Sequence, residues 1–437
     1  MPRLFVRRSV TAVGIYASVA LGFGATIAAT RELHSPRGFG DYATVIFTTG
    51  FFQAFFDLTV EEALVKYGFR YTAREDWGRL RRLFASALWF KLAGSALAAA
   101  GIAAFAAIGP SRLTVALLLA AGIPLCQSLE GLVTAPLYLR SRYDVASIFL
   151  AWSMAFRLTG VVVGAHYGLD EAIAGVLAAQ ALASVSVGIA GLVAFRRFPH
   201  APARPLDEDR REIASFVAQS SVATGVLSLR TALAPLLLGA VTNTAQVGLF
   251  KVAQAPQNGF QALSAPARMV LLTEQTRDWE KGMQAAVLRG VRRYSIVAAG
   301  IAVVVSPPLL VYVRDLIRSI NGPQYVGATG AARLFILAAC VQLVVGWTKS
   351  FPVTIGRPGL RVWTHGIETA VVLPLVIVFG ALWGATGAAG AVLAGMCVFA
   401  AIWAVVFLRI RPHDVQEPDG VAEALADVEA EAGALAR

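Results

Sequence analysis

The chain consists of long apolar runs separated by short polar connections. Twelve runs follow one another, each about as long as the 20 residues that an α-helix needs to cross the hydrocarbon core of a bilayer. The connections are short, except for a stretch with three prolines near residue 200 and an acidic tail after Pro412. The pattern predicts an all-α integral membrane protein with about 12 transmembrane helices, with approximate limits 9–30, 40–65, 83–108, 113–136, 144–165, 172–195, 213–240, 246–272, 287–312, 328–352, 361–383 and 386–409.

The composition agrees with a membrane protein. Of the 437 residues, 57% are hydrophobic and 15% are charged, and the mean hydropathy is +0.64. Soluble domains are usually about 25% charged, so this chain is built for a bilayer. A net charge of +11 would suggest nucleic acid in a soluble protein, but in a membrane protein the position of the cations relative to the bilayer matters more.

The distribution of Lys and Arg predicts the topology. With the N-terminus inside, the cytoplasmic connections hold 26 of the 38 Lys and Arg residues, and the opposite connections hold five. This bias is a strong positive-inside signal. We therefore expect both termini in the cytoplasm, and we expect the basic excess to face anionic membrane lipids rather than nucleic acid.

The sequence also contains an internal repeat. A shift of 208 residues places 40–43 over 248–251 and 52–55 over 260–263, and both segments lie in an even-numbered span after an outside turn. Six spans in each half give the halves one orientation, related by a pseudo-two-fold axis along the membrane normal. The predicted units are an N-terminal six-helix bundle (1–195), a cytoplasmic linker (196–212), a C-terminal six-helix bundle (213–411) and an acidic cytoplasmic tail (412–437).

Four segments resemble a known family. They read TRELHSPRGFGDYATV, FFDLTVEEALVKYGFR, LLLGAVTNTAQVGLFKVAQ and ALSAPARMVLL, and they are similar to the polysaccharide-exporter (Wzx-type flippase) branch of the multidrug/oligosaccharidyl-lipid/polysaccharide transporter superfamily. The resemblance implies a protein of the bacterial cytoplasmic membrane that moves lipid-linked oligosaccharide, carried on polyprenyl pyrophosphate, by alternating access and without a chemical step. A glycan polymerase and glycosyltransferases are the protein partners that it implies.

Cations within the apolar runs are the candidate substrate-binding residues. A pyrophosphate-linked glycan is anionic, and Arg can bind phosphate oxygens in a bidentate manner. Arg157, Arg230 and Lys251 fall at similar depth, and we expect them to line a central cavity, with Arg31 and Arg268 nearer to helix ends. The alternative is snorkelling or pairing with a carboxylate. Both candidate partners, Glu130 and Glu368, are expected on the cytoplasmic halves of their helices, out of reach.

The second predicted span carries an unusual polar stripe. Gln53, Asp57 and Glu61 are spaced i, i+4 and i+8 and share one face of a continuous helix. Such a stripe faces protein or a watery cavity, because charge in lipid is costly. The sequence leaves two roles open for the carboxylates, which are fastening helix ends and gating or ion coupling at the inner mouth.

Several other chemistries are not indicated by the sequence. The three cysteines are scattered through apolar runs, which argues against a disulfide framework or a zinc site, and no nucleotide-binding G-x-x-x-x-G-K-[ST] motif occurs. We expect no metal, no cofactor and no enzymatic activity. The first alternative function is a multidrug or cation antiporter, which an acidic cavity would favour. The second is a membrane glycan polymerase or acyltransferase, which should carry a long outside loop with clustered Arg, His or Asp.

Overall fold

The computed structural model describes residues 2–56, 60–207, 209–261, 283–349, 351–355 and 359–410, together with Gln275 and Trp279. Within these residues every regular element is a helix. Long apolar runs satisfy their backbone groups internally as helices, which is what a bilayer requires of a spanning segment. The predicted all-α membrane fold is confirmed. The predicted tail, 412–437, lies outside the described residues.

The helices of the first half follow the predicted runs closely. Short connections join them, and one of these contains a 3-10 turn at Ser111–Leu113. The α-helices are α1 (Pro2–Glu32), α2 (Pro36–Phe56), α3 (Val60–Ala73), α4 (Trp77–Ile108), α5 (Thr114–Ala120), α6 (Gly122–Leu139), α7 (Tyr143–Ala165) and α8 (Leu169–Arg196).

The second half begins after the linker and contains longer helices. The α-helices are α9 (Asp209–Val241), α10 (Thr244–Ala253), α11 (Gln284–Ile320), α12 (Thr329–Val344), α13 (Phe351–Thr354) and α14 (Gly359–Arg409). Residues 255–261 continue helically after α10, and 3-10 turns occupy Pro323–Ala328 and Gly346–Lys349.

Eight helices of the described chain are long and apolar enough to cross a membrane, or nine when α2 and α3 count as one bent span. The other predicted runs also have helices at their positions. The helix α9 carries too many polar residues for this criterion along its first part, α10 reaches the edge of the described residues, and α14 covers the last two predicted spans.

The second predicted span differs from the expected continuous helix. It is divided into α2 and α3, whose axes differ by 45°. Asp57 lies between them, outside the described residues. The prediction that Gln53 and Glu61 share one helix face assumed a continuous helix, so it is wrong. The two side chains nevertheless line the same cavity.

The helix α14 contains the turn that separates the last two predicted spans. Trp383 has φ −130° and Gly384 has φ +57° with ψ −137°, both outside the helical region. A glycine is needed at Gly384 because residues with a Cβ atom rarely adopt this conformation. The amide of Ala385, which the break frees, donates to Gln246 Oε1 at 2.8 Å.

The two halves pack closely against each other where α2 contacts α10, and the contact is reciprocal. A Cβ atom on Gly40 would lie 1.7 Å from the carbonyl oxygen of Thr244, and one on Gly248 would lie 2.4 Å from that of Pro36. The 208-residue shift places Gly40 on Gly248 and Pro36 on Thr244. The two contacts, Gly40 with Thr244 and Gly248 with Pro36, are therefore equivalent under the shift. A two-fold axis produces such a self-complementary interface. The contact agrees with the predicted repeat.

The halves are joined at the end of the molecule away from the linker, which we call the opposite face. Arg31 donates to the last carbonyls of α11, those of Ser319 and Ile320, at 2.8 Å each. The Tyr325 hydroxyl donates to the carbonyls of Thr30 and Ser35 at 3.1 and 3.2 Å. The largest buried apolar cluster contains residues of both halves, so this face is closed.

The other end, the linker face, holds the linker and the basic connections. The linker packs on the first half, where the amide of Arg204 donates to the carbonyl of Gly78 at 3.1 Å and Trp77 stacks on Phe198. The start of α9 is also fastened there, because Arg70 binds both carboxylate oxygens of Glu212 at 2.9 and 3.0 Å. The linker thus holds the first turns of the second half against the first half.

Candidate functional site

A cavity of about 430 Å³ lies between the two halves. One wall is α2 of the first half, and the remaining walls are α9, α10 with its continuation, and α14 of the second half. A cavity at the interface of two bundles changes shape when the bundles move, which makes it the candidate transport site.

Lys251 is a cation that lines this cavity, where burying its positive charge costs free energy. Its ammonium lies over the ring of Phe47, 4.8 Å from the ring centroid. A cation–π contact is worth about 2 kcal/mol when it is desolvated, which is less than the several kcal/mol needed to bury an ion. No carboxylate of the described residues forms an ion pair with Lys251.

Arg157 adds a second positive charge within electrostatic range of Lys251, although it is not among the residues that line this cavity. It comes from α7, lies within hydrogen-bonding reach of the hydroxyl of Tyr42, and its charge reaches Lys251. Among the described residues it forms no ion pair within 4.0 Å of a carboxylate. The two like charges therefore repel each other, and each raises the cost of burying the other.

Arg230 lines the same cavity but is neutralised. Its guanidinium contacts the carboxylate of Glu368, which is 1% exposed and also lies 3.0 Å from His365 Nδ1. The expectation that Glu368 is out of reach is wrong. Counting residues gives only the distance along each helix. Because α9 and α14 start at different levels, Arg230 and Glu368 can lie at one depth although they are different numbers of residues from their helix ends.

Amide side chains form a polar wall that the sequence analysis did not identify. Gln254, Gln257, Asn258 and Gln261 line the cavity and follow the spacing i, i+3, i+4 and i+7, which is one face of a helix. That spacing is visible in the sequence and could have been found there. Amides donate and accept hydrogen bonds, so this wall can bind hydroxyl groups.

The other predicted site residues lie elsewhere. Gln53 and Glu61 line a separate cavity of about 300 Å³ inside the first half, where Glu61 Oε1 pairs with Lys91 Nζ at 2.6 Å. Arg31 caps α11 at the closed opposite face rather than lining the cavity between the halves. Arg268 and Asp57 lie outside the described residues.

The two glutamine pairs show how closely the halves correspond. Gln53 Nε2 donates to Gln127 Oε1 at 2.9 Å, and Gln261 Nε2 donates to Gln342 Oε1 at 3.0 Å. Gln53 and Gln261 are related by the 208-residue shift, and their partners lie in the fourth predicted span of each half.

The described residues contain no group of three or more His, Cys, Asp or Glu side chains that could hold a metal ion.

Comparison with known proteins identifies the sequence family. Residues 8–272 match the model of a family described as polysaccharide biosynthesis protein. This is more than half of the chain and extends from within α1 to beyond the end of α10. No curated protein matches the sequence.

Solved structures share the fold at low sequence identity. The lipid II flippase MurJ in an inward closed conformation aligns with a TM-score of 0.70 at 14% identity, covering 91% of this chain and 89% of that one. An inward-facing multidrug resistance MATE family transporter of the MOP superfamily aligns with 0.68 at 11% identity, covering 92% and 97%. An outward-facing transporter of that family aligns with only 0.58 at 10% identity, covering 92% and 94%.

Proposed function

The chain belongs to the polysaccharide biosynthesis protein family, and on that premise we propose that it is a flippase that moves lipid-linked oligosaccharide across the bacterial cytoplasmic membrane by alternating access. It is a multi-pass membrane transporter and not an enzyme, as the sequence predicted. The substrate carries its glycan on polyprenyl pyrophosphate, so its headgroup combines negative charge with many hydroxyl groups.

The observation that carries this proposal is Lys251 in the cavity between the halves, with the charge of Arg157 within electrostatic range of it. Among the described residues, neither Lys251 nor Arg157 has a carboxylate within 4.0 Å. An anion bound at Lys251 would offset the cost of burying its charge and the repulsion from Arg157. Pyrophosphate is such an anion, and guanidinium and ammonium groups both bind it.

The wall of amides supports a glycan as the remainder of the ligand. Gln254, Gln257 and Asn258 lie on the face that carries Lys251 toward the cavity. Each amide offers donors and an acceptor to sugar hydroxyls. A cavity with cations and amides suits an anionic glycan, and it disfavours the cationic drugs that a multidrug antiporter would carry.

We propose the orientation from the cation bias. The linker face carries the basic connections and is assigned to the cytoplasm, with both termini on that side. The closed opposite face then looks outward, and the structure corresponds to the state that receives substrate from the cytoplasm. Glycosyltransferases would supply that substrate, and a glycan polymerase would consume it on the other side.

Binding and transport by purified protein test the proposal. Lys251→Gln should weaken binding of a fluorescent polyprenyl-pyrophosphate oligosaccharide by at least about tenfold, since a buried charge-assisted contact is worth more than 1.4 kcal/mol. Lys251→Arg should retain part of the affinity. Arg318→Gln, which removes an exposed cation of α11, is the matched control and should bind normally.

Three outcomes would contradict the flippase assignment. One is unchanged glycan binding and transport in proteoliposomes after Lys251→Gln. Another is transport of cationic drugs in place of the lipid-linked glycan. A third is labelling of a cysteine at Asn243 from the cytoplasm and one at Pro202 from outside, which would reverse the orientation.

A further inference from the structure

Glu130 on α6 is a carboxylate that the transport site does not use. It lies where two cavities of the first half meet. The first is the cavity of about 300 Å³ that Gln53 also lines, and the second is a cavity of about 780 Å³ between α1, α6 and α7. Four residues line both: Glu130, Thr134, Tyr138 and Leu150.

Glu130 has only neutral hydrogen-bonding partners among the described residues. Ser153 Oγ donates to its Oε1 at 3.4 Å, and the side-chain amide of Gln180 also contacts it. No described Lys, Arg or His lies within 4.0 Å of it. A carboxylate inside a membrane bundle is costly when it is charged and unpaired, so its charge must be offset at some stage.

The charged and titratable groups that face Glu130 come from five helices. Glu61 of α3 and Lys91 of α4 line the first cavity together with Glu130, and Lys91 binds Glu61 at 2.6 Å. In the second cavity Asp144 of α7 is bound by Arg142 at 3.1 Å. The remaining groups are Arg7 on α1, Cys126 and Tyr138 on α6, and Tyr143 on α7.

Among the described residues, the second half repeats the surrounding framework but has no carboxylate at the position equivalent to Glu130. Its equivalent glutamine pair borders a void of only about 10 Å³ lined by described residues. Glu130 stands three residues after Gln127, and the same step after Gln342 leads to Val345. The carboxylate at Glu130 is therefore particular to the first half and is not a consequence of the repeated fold.

The site has a route to one side of the membrane. The larger cavity is lined by Arg7 near the start of α1 and by Ser141 in the connection from α6 to α7, and both belong to the linker face. In the closed state of the opposite face, Glu130 can thus exchange protons with the linker side.

The site is also connected to the wall of the transport cavity. Gln127, one turn before Glu130 on α6, accepts a hydrogen bond from Gln53 of α2 at 2.9 Å. The other face of α2 presents Phe47 and Gly50 to the transport cavity. A change at Glu130 that moves α6 reaches that cavity through one hydrogen bond and one helix.

We propose that Glu130 is a proton-binding site that couples transport to the proton gradient, an inference that rests on the proposed function. A proton binds one carboxylate oxygen and neutralises the group, and the acid then donates to a neighbouring oxygen. A metal ion such as Ca²⁺ takes six to eight oxygen ligands, and the described residues hold no acidic cluster there. Protonation removes the cost of the buried charge and permits the rearrangement of α6 and α2.

Infrared spectroscopy tests the site without any substrate. In detergent-purified protein, the C=O band of a protonated carboxylic acid should grow as the pH is lowered, and Glu130→Gln should remove that component. The control is Glu171→Gln, which alters an exposed carboxylate at the start of α8 and should leave the component in place. If Glu130→Gln leaves the band unchanged, Glu130 is not the proton site.

Transport in proteoliposomes tests the coupling. An imposed pH gradient should accelerate glycan movement by wild type and by Glu171→Gln, whereas Glu130→Gln should lose the acceleration while still binding the lipid-linked glycan. Glu130→Asp keeps an ionisable group and should retain part of it, which separates coupling from misfolding. Full stimulation of Glu130→Gln, or driving by a sodium gradient alone, would overturn the proposal. Failure of wild type to bind glycan would instead contradict the proposed function and leave the infrared result standing.

Discussion

The glycine crossing between α2 and α10 leads to a prediction about conformational equilibrium. In Gly40→Ala, the new Cβ atom would lie 1.7 Å from the Thr244 carbonyl oxygen and 2.5 Å from its carbonyl carbon. Ordinary contacts are 3.4–4 Å, and both obstructing atoms belong to the backbone of a helix. Neither can rotate away as a side chain would. The two helices must separate by about 1.7 Å before the contact is normal.

The expected effect is a shift in population rather than unfolding. Overpacking costs about 1–3 kcal/mol, and here the cost applies only while the opposite face is closed. Alternating access requires a second state in which this face opens and the crossing is relieved. A penalty of about 1–3 kcal/mol for one state lowers its relative population by a factor of about 5–150. Gly248→Ala should act similarly, because it meets the Pro36 carbonyl in the reciprocal contact.

Distance measurements between spin labels at Arg37 and Arg318 can follow this shift. Both side chains are exposed on the opposite face, one in each half. Gly40→Ala should add or enlarge a population with a longer distance, and Gly188→Ala, where a Cβ atom meets nothing within 4 Å, should not. If the distances of Gly40→Ala match wild type and the protein remains folded, the crossing does not control closure and the reasoning is wrong.

Three further predictions concern stability, each measured by thermal unfolding of the detergent-purified protein. Lys91→Met should destabilise by about 1–3 kcal/mol because it leaves the partly buried Glu61 without this cation, and adding Glu61→Gln should restore part of the loss. The bidentate contact with Arg70 lowers the pKa of Glu212, so this carboxylate stabilises the fold above its ordinary pKa and loses that contribution as the pH falls through its lowered value. Glu212→Gln should flatten this part of the pH profile, and an unchanged profile would exclude the contact as its cause. Gly384→Ala should cost about 1–3 kcal/mol because φ +57° with ψ −137° is accessible essentially only to glycine, whereas a loss no greater than that of Gly188→Ala would contradict the strain.

Hydropathy was sufficient to place the helices, because a bilayer imposes one length and one backbone conformation on each spanning run. It could not show where a run bends. The division between α2 and α3 interrupts a segment that reads as one apolar helix. The turn at Trp383 and Gly384, by contrast, lies between two predicted spans, so there the sequence placed the break correctly.

The candidate site was predictable to the extent that charge in an apolar run demands an explanation. That rule singled out Lys251, which lines the cavity between the halves, and Arg157, whose charge acts on Lys251. It also singled out Arg230, whose partner could not be assigned because depth along a helix does not fix depth in a tilted bundle. Because Arg230 is paired with Glu368, the anion-binding hypothesis rests on Lys251 and Arg157.

The repeat explains why the transport cavity has two unlike walls. The amides at Gln254, Gln257 and Asn258 correspond, through the 208-residue shift, to Ile46, Thr49 and Gly50 of α2. Two of these, Ile46 and Gly50, line the cavity opposite the amides, so one wall is polar and the wall formed by α2 is largely apolar. A sugar presents hydroxyl groups at its edges and C–H groups on its faces, and such a ligand can satisfy both walls at once. Divergence between the copies thus produces an amphipathic cavity that two identical halves could not form.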